Sequence, residues 1–262
     1  MAGSDALPLT GERTVPGIAQ ENYWFRRHEA AYAWACGVVR GRRVLEVGCG
    51  EGYGTSVLAG HAASVAGLDY DALTVAHAAR AYPDVPFVRG NLAALPVGTA
   101  SVDVLATLQV IEHVWDHAQF LAECRRVLRP GGSLLVTTPN RLTFSPGSDT
   151  PTNLFHTKEF TEAELAGLLR ACGFTVTLTA GLHAGERLRE LDARYGGSFV
   201  GAQLAGDPVT WAEQLRGDVA EVGTGDFTVR TAADRDVDTA LDLVMLATPG
   251  GAAGRGTAVS AR

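Results

Sequence analysis

Short, continuously apolar runs alternate along the chain with longer stretches of helical periodicity. Val44–Val47 (VLEV), Ser64–Leu68 (SVAGL), Phe87–Arg89, Ser101–Leu108 (SVDVLATL), Ser133–Thr138 (SLLVTT), Phe174–Leu178 and Leu241–Ala247 (LDLVMLA) read as seven strands. Runs apolar throughout, rather than on alternate positions, suit strands buried on both faces of a parallel sheet. Helical patterns fill the spaces between them, over Glu21–Val39, Thr55–His61, Asp71–Arg80, Asp116–Leu128 and Thr161–Cys172. Start signals agree: Asp71 is an N-cap, Asp116 and Gln119 form a capping-box-like pair, and Thr161 with Glu164 is a capping box. Stop signals agree too, at Arg40-Gly41, Pro83, Arg129-Pro130-Gly131-Gly132 and Cys172-Gly173. Alternating strand and helix predicts an α/β fold, a mostly parallel sheet with helices on both faces.

Three stretches fall outside that rhythm. Residues 1–20 carry Pro8, Gly11, Pro16 and Gly17 too closely for a regular element, and with the helix that follows they form an N-terminal segment over residues 1–40. In that helix Tyr23, Trp24 and Phe25 cannot all face one side, so at least one must pack elsewhere or close over a ligand as a lid. Residues 41–180 make the core. Residues 181–236 read as an insertion of roughly 50 residues before the last strand (237–248), with helical patterns at Glu186–Arg194 and Trp211–Val222. A glycine-rich piece, Gly196–Gly206, joins the two helices, and Asp226–Arg230 alternates like a strand. Residues 249–262 lack apolar bulk and read as a disordered tail. Everything belongs to one domain, residues 1–262.

The chemistry begins where the first strand ends. Val44–Gly54 reads VLEVGCGEGYG, a buried strand running into glycines at 48, 50, 52 and 54 with one acid, Glu46, inside it. Glycine there lets the backbone turn sharply and lets a ligand approach closely. The spacing differs from the G-x-G-x-x-G turn that carries a pyrophosphate, and Glu51 would repel one. A ligand with a cationic centre and no phosphate fits better. Asp69 closes the second strand, 21 residues after Gly48, where an acid can accept both hydroxyls of a ribose. Tyr70 beside it can cover an adenine face.

These residues resemble motif I of the class I S-adenosylmethionine-dependent methyltransferases, which implies a Rossmann-like sheet and S-adenosylmethionine as cofactor. The resemblance implies that Gly48, Cys49 and Gly50 pack against the amino-acid end of the cofactor and that Glu46 orients it. It implies adenine contacts from Asn91 and Leu92, with asparagine standing where the family usually has aspartate. From the preceding segment it implies that Tyr23 and Arg27 reach the methionine carboxylate, the arginine fork suiting a carboxylate. Leu95-Pro96 and the run into LRPGG belong to the same superfamily pattern.

After the fourth strand comes Gln109-Val-Ile-Glu112-His113-Val-Trp-Asp116. On a helical turn positions 109, 112 and 113 share a face. Gln109 is placed to touch the cofactor, and His113 with Glu112 is the candidate catalytic pair, since a positioned imidazole can take the proton of a hydroxyl acceptor. Ubiquinone-type O-methyltransferases show an E-x-x-E-H metal pattern here; Gln109 replaces its first acid, so Glu112 and His113 remain as candidate ligands for a divalent ion such as Mg2+. A purely structural role for the pair stays open. The long loop Pro139–Thr157 leaves the carboxyl end of the fifth strand, where ligands of open α/β sheets bind, and offers Arg141, Asp149, Asn153 and His156 to the acceptor. Trp24 of the N-terminal helix joins that substrate-binding set.

Composition narrows the setting. With 46% hydrophobic residues and no apolar run of 18, the chain has no membrane span, and its first residues show no signal-peptide pattern, which points to the cytoplasm. A net charge of −7 argues against a nucleic-acid partner. Cys36, Cys49, Cys124 and Cys172 contain no C-x-x-C pair and read as reduced thiols. The segments TGERTVPGIAQENYWFRRHEAAY, SPGSDTPTNLFHT and LRELDARYGGS resemble actinobacterial methyltransferases of methylated-polysaccharide synthesis, such as 6-O-methylglucose lipopolysaccharide. That resemblance implies O-methylation of a sugar hydroxyl on a poly- or oligosaccharide. The alternatives are a quinone or polyketide acceptor, a non-catalytic cofactor-binding accessory protein, and an NAD-dependent oxidoreductase, which the glycine spacing counts against.

Overall fold

The computed structural model describes residues 14–250. Eight strands form one sheet: β1 (Arg43–Val47), β2 (Ser64–Asp69), β3 (Phe87–Arg89), β4 (Val102–Leu108), β5 (Leu128–Pro139), β6 (Phe174–Ala184), β7 (Phe227–Thr231) and β8 (Asp242–Pro249). Their order is β3-β2-β1-β4-β5-β8-β6-β7. The pairs from β3 through β5 are parallel, and β8 enters antiparallel between β5 and β6. The sequence reading of a mostly parallel Rossmann-like sheet holds, with one strand more than the seven expected. That extra strand is β7, inside the stretch read as an insertion, pairing antiparallel with the far end of β6.

The helices are α1 (Asn22–Val39), α2 (Tyr53–Ala59), α3 (Ala72–Ala81), α4 (His117–Val127), α5 (Arg141–Phe144), α6 (Glu162–Ala171), α7 (Glu186–Arg194), α8 (Phe199–Leu204) and α9 (Glu213–Ala220). The caps act as their residue types predict. Asp71 accepts from the Leu73 amide, and Thr161 and Glu164 form the full capping box. Asp116 accepts from the Gln119 amide, but the Gln119 side chain donates to the Ala93 carbonyl, so no reciprocal box forms there.

Two apolar clusters cover the two faces of the sheet. One packs α4 and α6 through Phe120, Leu121, Leu165 and Leu169; the other packs α1 and α2 through Tyr32, Ala35, Val39 and Leu58. A third cluster joins α1 to the later segment: Tyr23 and Ala30 lie among Leu188, Leu191, Phe199, Leu215 and Phe227. The insertion therefore has a core of its own, closed by the N-terminal helix. The aromatic triplet resolves in three directions. Tyr23 enters that cluster, Trp24 meets Phe144 edge-on at 6.3 Å, and Phe25 lies against Tyr53 at 4.9 Å.

Three element boundaries moved. β5 starts at Leu128, so the Arg-Pro-Gly-Gly stretch expected to stop α4 is already strand, with a register shift against β4 between Val102 and Val104. β6 runs six residues past Leu178, carrying the sheet into residues 181–184. The glycine-rich 196–206 stretch contains α8, capped by the Ser198 hydroxyl on the Gly201 amide. The disordered reading of residues 249–262 lies almost wholly outside the described residues, as does most of the loop reading of residues 1–20.

Candidate active site

All the strand-end residues singled out in the sequence lie along one edge of the sheet. Gly48 follows β1, Asp69 ends β2, Asn91 follows β3, and Gln109 follows β4. The glycine turn is fastened to its neighbour: the Gly48 and Cys49 amides donate to the Leu68 carbonyl at 2.7 and 3.0 Å. Asp69 is the second fastener. Its Oδ2 accepts from the Gly50 amide at 2.9 Å and its Oδ1 from the Asp71 amide at 3.0 Å. Gly48 has φ +72, and a Cβ there would stand 2.5 Å from Cγ2 of Val110. No other residue type fits that point without displacing the strand-four loop.

Glu46 is 1% exposed, and its oxygens accept from the Tyr32 and Thr55 hydroxyls, each at 2.5 Å. Burial raises its carboxyl to about 7, partly opposed by those two hydrogen bonds. It braces α1 and α2 beneath the turn. Glu51, which sequence reasoning placed against a phosphate, is buried and bonded to Tyr82, His77 and the Tyr53 amide.

Tyr70 is 67% exposed, with the Arg89 guanidinium 5.9 Å above its ring, so it stands at the rim of the strand-two end. Asn91 spends its side-chain oxygen on the Ala93 amide, and Leu92 packs partly buried against the core. Cys49 is buried, and burial among Glu46 and Asp69 raises its thiol far out of the reactive range. Cys36, Cys124 and Cys172 are free thiols as well, Cys172 only half-buried.

A cavity of about 690 Å³ opens next to this edge, between α1, the loops after β4 and β5, and α7–α8. Tyr23, Trp24, Arg27, Gln109, Glu112, His113 and His156 all line it, so the structure brings these sequence candidates into one space. Arg27 closes its fork on Asp242 of β8, Nη2 to Oδ1 at 2.6 Å and Nε to Oδ2 at 2.8 Å, while the residue still lines the cavity. Arg141 and Asp149 pair with each other, and Arg141 also meets Glu164 at 3.2 Å; neither lines the cavity.

Gln109 holds a left-handed backbone, φ +56, costly for a side-chain-bearing residue and paired to β5 through its amide and the Thr137 carbonyl. That turn drops Ile111–His113 into a short 3₁₀ segment. Glu112 is 1% exposed, accepts from the Thr138 hydroxyl at 2.9 Å, and is pushed up to about 8 by burial. Nδ1 of His113 lies 3.0 Å from the Phe155 carbonyl. The His156 ring stands edge-on to it, centroids 5.0 Å apart, with Nδ1 2.8 Å from Oε1 of Glu159 and Nε2 3.2 Å from the Asn153 amide nitrogen. Ligand atoms of Glu112, His113 and His156 all lie within 4.8 Å of one another.

Sequence reasoning missed Glu159 and Thr138, which orient His156 and Glu112. Glu159 was visible in principle, three residues after His156. Asp242, which claims Arg27, had no local signal because 215 residues separate the two.

Residues 45–136 match a family model described as a methyltransferase domain. A probable S-adenosylmethionine-dependent methyltransferase of Mycolicibacterium smegmatis is 58% identical over 244 residues, covering 92% of this chain and 95% of the relative. Another, from Mycobacterium tuberculosis, is 51% identical over 251 residues, covering 94% and 91%. Among solved structures, a Thermotoga maritima protein described as an S-adenosylmethionine-dependent methyltransferase, possibly acting on histamine, shares the fold. It superposes with a TM-score of 0.59 at 18% identity, over 88% of this chain and 95% of that one. With its sheet order, its fastened glycine turn and near-full-length relatives at this identity, the chain belongs to the S-adenosylmethionine-dependent methyltransferases.

Proposed function

We propose that the protein transfers the methyl group of S-adenosylmethionine to a hydroxyl oxygen, and that the acceptor is a sugar of an oligo- or polysaccharide. The observation that carries this reading is the placement of His113 in a cavity that also holds aromatic faces and polar side chains. Trp24 and Phe144 offer ring surfaces of the kind a pyranose stacks on; Asn153, Thr143, Thr152 and Asp192 offer hydrogen bonds to hydroxyls.

Methyl transfer is an in-line displacement. The acceptor oxygen forms a bond to the methyl carbon as the carbon–sulfur bond breaks, and the electron pair stays on sulfur. The glycine turn and Asp69 would hold the donor over the sheet edge, with the acceptor in the adjoining cavity. Holding both partners in attack geometry is worth on the order of 7–11 kcal/mol in the best cases. The acceptor must also lose its proton. The Phe155 carbonyl favours the tautomer of His113 with the proton on Nδ1, which leaves a lone pair on Nε2 to receive it. A sulfonium nearby favours the neutral imidazole, the form that acts as a base.

The test offers labelled S-adenosylmethionine with panels of oligosaccharides, quinols and polyketide alcohols, after calorimetry with S-adenosylhomocysteine and with NADH. Label on glycans is expected. Label only on quinols or polyketides would replace the sugar with a small-metabolite acceptor. Binding of S-adenosylhomocysteine without turnover on any hydroxyl would favour an accessory protein.

A further inference from the structure

We propose that Glu112, His113 and His156 form a binding centre for one divalent transition ion of the imidazole-favouring class, such as Zn2+ or Co2+, rather than Mg2+. The proposal rests on the reading above that the acceptor lies over this cluster. It adds a ligand from the loop after β5 that the 109–113 segment does not contain.

The donor set points to the ion. One carboxylate and two imidazoles suit zinc, cobalt, iron or manganese, whereas magnesium takes oxygen ligands almost exclusively. The supporting groups are those a metal site needs. Each histidine has Nδ1 at hydrogen-bond distance from an oxygen acceptor, the Phe155 carbonyl for His113 and the buried Glu159 carboxylate for His156. A proton fixed on Nδ1 puts the lone pair on Nε2, and the histidine–carboxylate pair is a recurring second layer around metal-bound histidine. Asn153 donates its amide to Nε2 of His156 in the metal-free protein, and an ion at that nitrogen takes its place. Glu112 is oriented by Thr138. Nothing among the described residues bonds the second oxygen of Glu159, so that side chain is held at a desolvation cost with His156 as its partner.

An ion with bonds of about 2.1 Å keeps its ligand atoms roughly 3 to 3.5 Å apart. The ligand atoms, within 4.8 Å of one another here, would draw together on binding, His156 sitting on a loop beyond α5. Three protein ligands leave a position for the acceptor hydroxyl. Coordinated there, the hydroxyl loses its proton to solvent, and the alkoxide attacks the methyl carbon as the carbon–sulfur pair moves to sulfur. With the ion bound, this acidification replaces the proton-accepting role of His113 in the metal-free protein.

The experiment measures binding of Zn2+ by calorimetry and of Co2+ by its visible d–d absorption, on the metal-stripped protein, with and without S-adenosylhomocysteine. One equivalent per chain is expected, with four- or five-coordinate Co2+ intensity and with Mg2+ at millimolar concentration failing to compete. His156→Gln should lose at least tenfold in affinity, and Glu159→Gln about 10- to 100-fold. The exposed His61→Ala should bind as the unaltered protein does. Binding absent, or equal in His156→Gln and the unaltered protein, overturns the site while leaving methyl transfer to its own assay. Stoichiometric binding with no turnover on any acceptor would leave the site standing and remove the proposed function.

Discussion

Arg27 of α1 and Asp242 of β8 close on each other as a two-pronged ion pair, with side chains only 5% and 1% exposed. The pair locks the N-terminal helix onto the strand that divides β5 from β6. A charge buried with its partner becomes very costly when that partner is removed, by about 3–5 kcal/mol. Arg27→Ala and Asp242→Ala should each lower unfolding stability by about that much in urea titrations. The double change Arg27→Met with Asp242→Leu should cost less than either, because no charge is stranded. If Arg27 instead served the cofactor carboxylate, Arg27→Ala would weaken S-adenosylhomocysteine binding and leave the unfolding midpoint where it was.

Asp69 offers a separate test on the cofactor side. It accepts from the Gly50 and Asp71 amides, so it both shapes the turn and presents charge at the end of β2. Hydrogen bonds to a charged group contribute about 1.5–3 kcal/mol each, roughly 10- to 100-fold in affinity. Asp69→Ala should weaken S-adenosylhomocysteine binding by at least tenfold in calorimetry. An unchanged dissociation constant would remove Asp69 from the cofactor site.

Much of this architecture was legible because its signals are local. VLEVGCGEGYG declares a strand and its turn within eleven residues, and the caps at Asp71 and Thr161 sit beside the helices they start. Glu112 and His113 were legible for the same reason, being carried together by one short segment. What was not legible was what depends on distant partners. Arg27 looked available for a carboxylate, because Asp242 is far away in sequence. Glu46 looked like a ligand contact, because the hydroxyls of Tyr32 and Thr55 that enclose it come from two helices. β7 was read as an isolated alternation, since only pairing with an overlong β6 gives it a sheet to join.

Glu46 supplies a pH signature. Its carboxyl is raised from 4.5 to about 7 by burial, so the folded protein holds a proton that the unfolded chain releases near pH 4.5. Stability from this group is therefore full below pH 4.5, declines as pH rises toward 7, and stays flat above. The drop is on the order of 3 kcal/mol at about 1.4 kcal/mol per unit. Glu46→Gln keeps a neutral group that can pair with both hydroxyls and should flatten the decline between pH 5 and 7 by about that amount. Equal slopes for the two proteins, from urea unfolding at half-unit intervals, would contradict the raised carboxyl.

His113 divides binding from chemistry. It lines the acceptor cavity while the glycine turn and Asp69 lie elsewhere along the sheet edge, so its loss should leave the donor site intact. A positioned proton acceptor contributes roughly 10²–10⁴ in rate. A hydroxyl-acidifying ion held by the same side chain would make the loss no smaller. His113→Ala should therefore cut turnover at saturating S-adenosylmethionine by about 100-fold or more. S-adenosylhomocysteine affinity should change by less than about threefold, equivalent to about 0.65 kcal/mol. The fall should shrink at low pH if the imidazole is the base, because a protonated ring accepts no proton and the unaltered protein loses the same advantage there. Retained turnover would reduce Glu112 and His113 to a structural pair supporting the loop. A parallel collapse of S-adenosylhomocysteine binding would place His113 on the donor instead of the acceptor.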